Sequence, residues 1–256
     1  MQLTYSKPTP PFVYIVGAGP GDPGLMTVKA YQLIRKIADV VVYDRLIPDE
    51  LLAVIPKRVE RIYAGKSCRL HHMTQDEINA CLVEEANKGK VVVRLKGGDP
   101  FIFGRGGEEV AYLLENNIPF EVVPGVNAAD GCCAYQGIPL THRELASGVR
   151  FVTGHKQKGK PMNLDWAGLA QNDTTLVLYM ALAHLEEISK NLIDHGLPKD
   201  TPAVAIHEGT TKKEKVVYST LLDISGAVKQ QKLEPPTLVV IGRVVALGRN
   251  QKSENR

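Results

Sequence analysis

Five short runs in the first half of the chain, Phe12–Gly17, Asp39–Tyr43, Arg58–Ala64, Lys90–Leu95 and Phe120–Val123, read as strands rich in Val and Ile and apolar on both faces. A strand with one wet face alternates apolar and polar residues, so runs without that alternation need cover above and below. Helix-like segments at Leu25–Ile37, Thr74–Lys88 and Gly106–Asn116 fall between them. Thr74 and Glu77 make a capping box ahead of Ile78, Leu82 and Val83, and Gly89 stops that helix. Strands alternating with helices predict an α/β fold whose largely parallel sheet is covered on both faces.

The second half starts over. Val149–Thr153, Thr174–Met180 and Pro202–His207 are strand candidates, and Leu182, Leu185, Ile188 and Leu192 mark one face of a helix ending at Gly196. Lys215–Ser219 and Thr237–Val245 read as strands around a helix opened by Ser219 or Thr220. The last strands follow one another without the full βα rhythm, which leaves room for antiparallel pairing. The boundary falls between Pro124 and Leu140, giving two αβα domains with mostly parallel sheets, 12–130 and 131–248.

The 256 residues, 44% of them hydrophobic, suffice for two cores, and the net charge of +3 is too mild and too dispersed for a nucleic-acid surface. Cys68, Cys81, Cys132 and Cys133 form no CxxC pair, so neither a metal site nor a disulfide framework is expected. His71-His72 reads as a solvated loop pair, and Lys156, Lys158 and Lys160 as a basic loop. Met1–Pro11 is polar, and no apolar run is long enough for a membrane span. These features predict a cytoplasmic protein with no membrane partner.

Chemistry concentrates where the first-half strands end. The first opens into GAGPGDPG at 17–24, the second into Tyr43-Asp44-Arg45, the third into Gly65-Lys66, the fourth into KGGDPFIFGRGGEE at 96–109, and the fifth into PGVNA at 124–128. Five such loops at one sheet edge make a site. Gly19, Gly21 and Gly24, with Asp44 twenty residues on, even spell a dinucleotide fingerprint. Pro20 and Pro23, however, lack the N–H donors that cradle a pyrophosphate, which suits the loop better to a nucleoside without phosphates.

The chain resembles the tetrapyrrole methylases. The resemblance runs from Val13 to Leu247 through GAGPGDPG, VVYDRL, AGK, RLKGGDPFIFGRGGEE, VVPGV, CCAYQGIPLTHR, VTGH, LVLYM and VVIGRVVAL. It implies two α/β domains with an active-site cleft between them, S-adenosyl-methionine as methyl donor, and a homodimer. The implied reaction is two successive methyl transfers to uroporphyrinogen III, giving precorrin-2.

Resemblance also assigns residues. It implies Asp44 as proton acceptor and Lys66 as donor, and ties Arg105 and Glu108 to catalysis. Pro20, Gly97, Gly98, Asp99, Ile102, Asn127, Ala128, Met180 and Gly209 are the implied cofactor residues. Asn127 stands where relatives often carry Ser or Thr.

The implied chemistry agrees with the residues. Moving a methyl group from a sulfonium to a neutral pyrrole carbon disperses charge, so positioning and dryness matter more than a metal or a nucleophilic triad. A substrate rimmed with carboxylates calls for Arg, and Arg45, Arg105 and Arg143 lie in motif loops. Since the guanidinium stays protonated, Arg105 is better cast as a carboxylate grip oriented by Glu108 than as a base. Three alternatives remain: a methylase of a later corrinoid intermediate, a nicotinamide-dependent dehydrogenase using the glycine fingerprint, and a pure tetrapyrrole carrier, which would keep the arginines but need no nucleoside loop. Some family members are fused to a dehydrogenase–ferrochelatase module, for which these residues leave no room.

Overall fold

The computed structural model describes residues 5–65, 73–155 and 162–251. Lys66, His71-His72 and the Lys156, Lys158 and Lys160 loop lie outside them. The chain divides into two compact units, Met1–Asn127 and Ala128–Arg256.

In the first unit, β1 (Phe12–Gly17), β2 (Val40–Tyr43), β3 (Glu60–Tyr63), β4 (Val91–Lys96) and β5 (Phe120–Val123) form one sheet in the order β3-β2-β4-β1-β5. Every pairing is parallel, with Val16 opposite both Leu95 and Val123. All five carboxyl ends therefore share one edge. The helices are α1 (Val28–Gln32), α2 (Asp49–Leu52), α3 (Gln75–Asn87) and α4 (Gly106–Glu115).

Leu33, Ile34, Leu51 and Ile55 pack on one face of the sheet against Val41, Val91 and Val93. Ile78, Leu82, Ala86 and Leu113 pack on the other against Val13, Ile15, Val40 and Val42. The non-alternating strands are buried on both sides as their composition requires. The capping box forms, with the Thr74 hydroxyl accepting from the Glu77 amide at 3.2 Å and a Glu77 carboxylate oxygen accepting from the Thr74 amide at 2.6 Å.

One helix starts later than its pattern suggests. Pro23–Leu25 forms a separate 3-10 turn, Met26 is extended, and α1 begins only at Val28, capped by the Thr27 hydroxyl. The glycine loop thus does not open directly onto a helix N-terminus, the second feature a pyrophosphate site needs.

The second unit holds β6 (Gly148–Thr153), β7 (Thr174–Tyr179), β8 (Pro202–His207), β9 (Lys215–Thr220) and β10 (Thr237–Ile241), ordered β6-β7-β10-β8-β9. Here the expectation of a mostly parallel sheet is corrected. Only β6 and β7 run parallel, while β7–β10, β10–β8 and β8–β9 are antiparallel. The seven residues 208–214 joining β8 to β9 are too few for a helical crossover, and β10 inserts against the direction of both neighbours.

The helices of this unit are α5 (Ala128–Tyr135), α6 (Trp166–Leu169), α7 (Leu185–Asp194), α8 (Ile224–Gln230) and α9 (Val245–Gln251). Leu185, Ile188, Leu192, Ile224 and Val228 cover one sheet face, and Ala129, Cys132, Cys133 and Val245 cover the other. The run expected as a strand to Val245 ends at Ile241. Gly242, at φ +149°, turns the chain into α9.

Candidate cofactor and active site

Three glycines at the carboxyl edge of the first sheet touch backbone to backbone. A Cβ on Gly17 would lie 2.5 Å from the Gly125 nitrogen and 2.6 Å from the Gly98 oxygen, and one on Gly125 would lie 2.3 Å from that same oxygen. Gly98 and Gly19 bridge the β4 and β1 loops through Gly98 N to Gly19 O at 2.8 Å and Gly19 N to Gly98 O at 3.3 Å. Asp99 ties in the third loop, one oxygen accepting from Gly125 N at 3.1 Å and the other from Phe101 N at 2.8 Å. Both oxygens are committed to shaping the loops, an assignment its sequence position did not suggest. The result is a close-packed floor made of backbone, and Pro20 beside it offers no donor.

Below this edge lies a buried charged cluster that the sequence patterns did not single out. The Arg94 Nη2 donates to Asp44 Oδ2 at 3.0 Å, and its Nε donates to Glu109 Oε1, also at 3.0 Å. Lys96 Nζ and Gln75 Nε2 donate to the same Glu109 oxygen at 2.9 and 3.3 Å. Glu109 is fully buried, and among the described residues its Oε2 has no hydrogen-bond partner. Burial, reinforced by Arg94 and opposed by Glu109, pulls the Lys96 ammonium below its ordinary pKa. Asp44 is the member that reaches solvent, its side chain 24% exposed against 3% for Arg94, 5% for Lys96 and 0% for Glu109. Its Oδ1 accepts from the Leu46 amide at 3.0 Å, which fixes the carboxylate's rotation.

Sequence reading emphasised Glu108, but it is the neighbouring Glu109 that faces inward. Glu108 lies outside on α4, where it takes Arg105 Nε at 2.8 Å and Nη2 at 2.5 Å in a two-pronged pair. Each member of the pair holds the other in its charged form. Both side chains are more than half exposed, so the planar guanidinium is oriented yet open to an incoming anion. Arg105 sits at φ +59° and Phe103 at +51°, unusual for side-chain-bearing residues and frequent at functional sites. Exposed Phe101, Phe103 and Leu46 give this edge an apolar surface, and Arg45 is exposed beside Leu46. A Cβ on Gly97 would meet that of Leu46 at 3.0 Å. Ile102 is half-buried, its amide donating to Asp99 O at 3.4 Å.

In the second unit, β6, β7 and β8 run the same way, and three of the expected residues gather at their carboxyl edge. Met180 follows β7, exposed and at φ +53°. Gly209 follows β8 between Glu208 at φ +42° and Thr210 at φ +66°. Ala128 opens α5, whose Ala129 amide donates to the Tyr179 hydroxyl at 3.1 Å. A Cβ on Gly209 would lie 2.4 Å from Cys132 Sγ, so α5 packs directly on this turn. Glu214 steadies the loop by accepting from Gln136 Nε2 at 2.6 Å and from the Thr210 amide at 2.9 Å. Tyr179 and Glu214 are supports that sequence reading missed.

Arg143 is not brought to that edge. It lies exposed in the turn before β6, which Arg243 holds by donating to Leu145 O at 2.8 Å. Among the described residues no three His, Cys, Asp or Glu side chains converge as metal ligands, and no helix is long and apolar enough to cross a membrane.

The sequence and the fold have counterparts in known proteins. Siroheme synthase from Nitrosococcus oceani is 52% identical over 235 residues, 92% of this chain and 50% of that protein, so the chain spans about half the length of the curated relatives it matches. The crystal structure of uroporphyrin-III C-methyl transferase from Thermus thermophilus, complexed with S-adenyl homocysteine, is 41% identical. It superposes with a TM-score of 0.75, covering 91% of this chain and 92% of that one. Cobalt precorrin-4 methyltransferase, a cobalamin biosynthetic enzyme, is 28% identical with a TM-score of 0.81, over 92% and 96% of the two chains. None of these relatives favours the dehydrogenase alternative. The model of the Tetrapyrrole (Corrin/Porphyrin) Methylases matches residues 13–225, and the chain belongs to that family.

Proposed function

We propose that this chain is an S-adenosyl-methionine-dependent C-methyltransferase that converts uroporphyrinogen III to precorrin-2 by two successive methyl transfers. The observation that carries the reading is the glycine floor at Gly17, Gly98 and Gly125 beside a proline-interrupted loop, which suits a nucleoside without phosphates. The Thermus thermophilus relative, whose crystal structure holds S-adenyl homocysteine, supports the same donor. In the first unit, Pro20, Gly97, Gly98, Asp99, Ile102 and Asn127 would hold it. When bound, it supplies an electrophilic methyl group on a sulfonium centre.

The chain's own residues do the rest. Arg105, oriented by Glu108, grips a substrate carboxylate, with Arg45 as a further anchor. Exposed Phe101 and Phe103 exclude water from the face of the macrocycle. Asp44 accepts the ring-system proton after the carbon–carbon bond forms, and Lys66 serves as donor. The active protein is a cytoplasmic homodimer.

Anaerobic incubation with uroporphyrinogen III and methyl-labelled S-adenosyl-methionine, with the product's methyl groups counted by mass, tests the reading. Two methyls are expected. Donor binding without transfer would overturn the substrate assignment in favour of a later corrinoid, the second reading, which the likeness to the precorrin-4 enzyme supports. Absence of donor binding would overturn the methyltransferase reading.

A further inference from the structure

Asp44 is the solvent-reaching tip of a cluster whose other charged members are buried, and a single side chain links it to the rest. Arg94 uses all three of its nitrogens. Nη2 donates to Asp44 Oδ2 at 3.0 Å, Nε to Glu109 Oε1 at 3.0 Å, and Nη1 reaches Leu95 O at 3.2 Å and Val42 O at 3.4 Å. The guanidinium therefore spans β2, β4 and α4, and its plane is fixed from three directions. Glu109 is fixed in turn by Lys96 from β4 and Gln75 from α3. With its side chain only 3% exposed, Arg94 is shielded from any substrate, and whatever it does to the reaction it does through Asp44.

We infer that Arg94 is a positioning residue that, clamped by Glu109, holds the Asp44 carboxylate in the one orientation from which it takes the substrate's proton. The inference rests on Asp44 being the proton acceptor. The Asx turn to Leu46 sets one Asp44 oxygen and Arg94 sets the other, so neither rotation nor retraction is free. A lysine at position 94 would return the charge without the planar fork, and could not bond Asp44 and Glu109 in the same geometry.

The test is a double-mutant cycle on the methyl-transfer reaction, comparing the wild-type chain, Arg94→Lys, Asp44→Asn and the double variant. Donor affinity and thermal midpoint are measured alongside. Arg94→Lys is expected to lower kcat tenfold or more, with KM for uroporphyrinogen III and donor affinity within twofold of wild type. In the Asp44→Asn background the same change should alter kcat by less than twofold, because the carboxylate it positions is gone. Equal kcat losses in both backgrounds would overturn the inference and leave Arg94 a purely structural residue.

If Arg94→Lys fails to fold, Glu109→Gln takes its place in the cycle, since it keeps the volume and loosens the clamp. The same pattern is expected, and equal losses again overturn the inference. Full turnover by Asp44→Asn would instead overturn Asp44 as acceptor, and absence of transfer by the wild-type chain would overturn the proposed reaction.

Discussion

A methyl group on Gly17 would stand 2.5 Å from the amide nitrogen of Gly125, closer than any Cβ can approach a backbone atom. Gly17 ends β1 and Gly125 lies two residues beyond the end of the adjacent β5, so relieving the clash means moving the chain apart where these two strands end. Gly17→Ala is expected to cost about 1–3 kcal/mol of stability, the range for forced overpacking, and to weaken donor binding. Gly107, in the first turn of α4, has nothing within 4 Å of its would-be Cβ. Gly107→Ala should be neutral or stabilising by about 0.5–1 kcal/mol. Urea titration of both variants checks the contrast, and equal effects would contradict it.

Arg105 holds a left-handed backbone conformation at φ +59° while its side chain pairs with Glu108. An exposed pair of this kind contributes at most about 1 kcal/mol, comparable with the strain of a non-glycine residue in that region. Arg105→Gly should therefore be more stable than Arg105→Ala, by about 1 kcal/mol in urea unfolding, with both equally deficient in turnover. Donor affinity should be nearly unchanged in both. A parallel loss of donor binding would move Arg105 to the cofactor half of the site.

Cys132 and Cys133 are buried against the second sheet, and burial pushes both thiols from 9.0 up to about 12, with Glu214 adding at Cys132, and Cys132 and Asp130 adding at Cys133. A raised acid pKa means that the folded state keeps its protons where the unfolded chain loses them. The stabilisation is complete below pH 9 and is lost as pH climbs from 9 towards 12. Each thiol contributes a slope of at most about 1.4 kcal/mol per pH unit in that window. Replacing either by Ala should lower stability at pH 8 but flatten its fall between pH 9 and 10.5, measured by urea unfolding at each pH. An unchanged slope would show that the thiols do not carry it.

The Thr74–Glu77 box is the plainest local device in the chain. Thr74→Ala should cost about 1 kcal/mol, and Glu77→Gln, which can still accept from the Thr74 amide, a smaller amount. Thermal unfolding of the two variants gives the comparison.

That box was legible because both partners lie within one turn. The first sheet's strands were legible for a related reason: burial on both faces leaves its mark within each run, whatever the neighbours are. The proline-interrupted glycine loop was equally plain, since a missing N–H is a property of the residue itself. Strand direction in the second unit was not, because β10 reads as an apolar run whether it lies parallel or antiparallel to β7 and β8.

The sequence by itself determined the five strands of the first unit, where α3 is capped, and which loops carry the glycines and charges, though not the late start of α1 or the short α2. It could not decide which of two adjacent glutamates is buried. Glu108 and Glu109 lie about 100° apart around α4, and only the way that helix packs over β4 turns Glu109 onto Arg94 and Lys96 and leaves Glu108 outside with Arg105. Nor could it show that Asp99 staples β5 to β4, or that Arg143 lies at the far edge from Met180. Those facts depend on residues distant in sequence meeting across strands, where the geometry belongs to the assembled sheet and to no single segment of the chain.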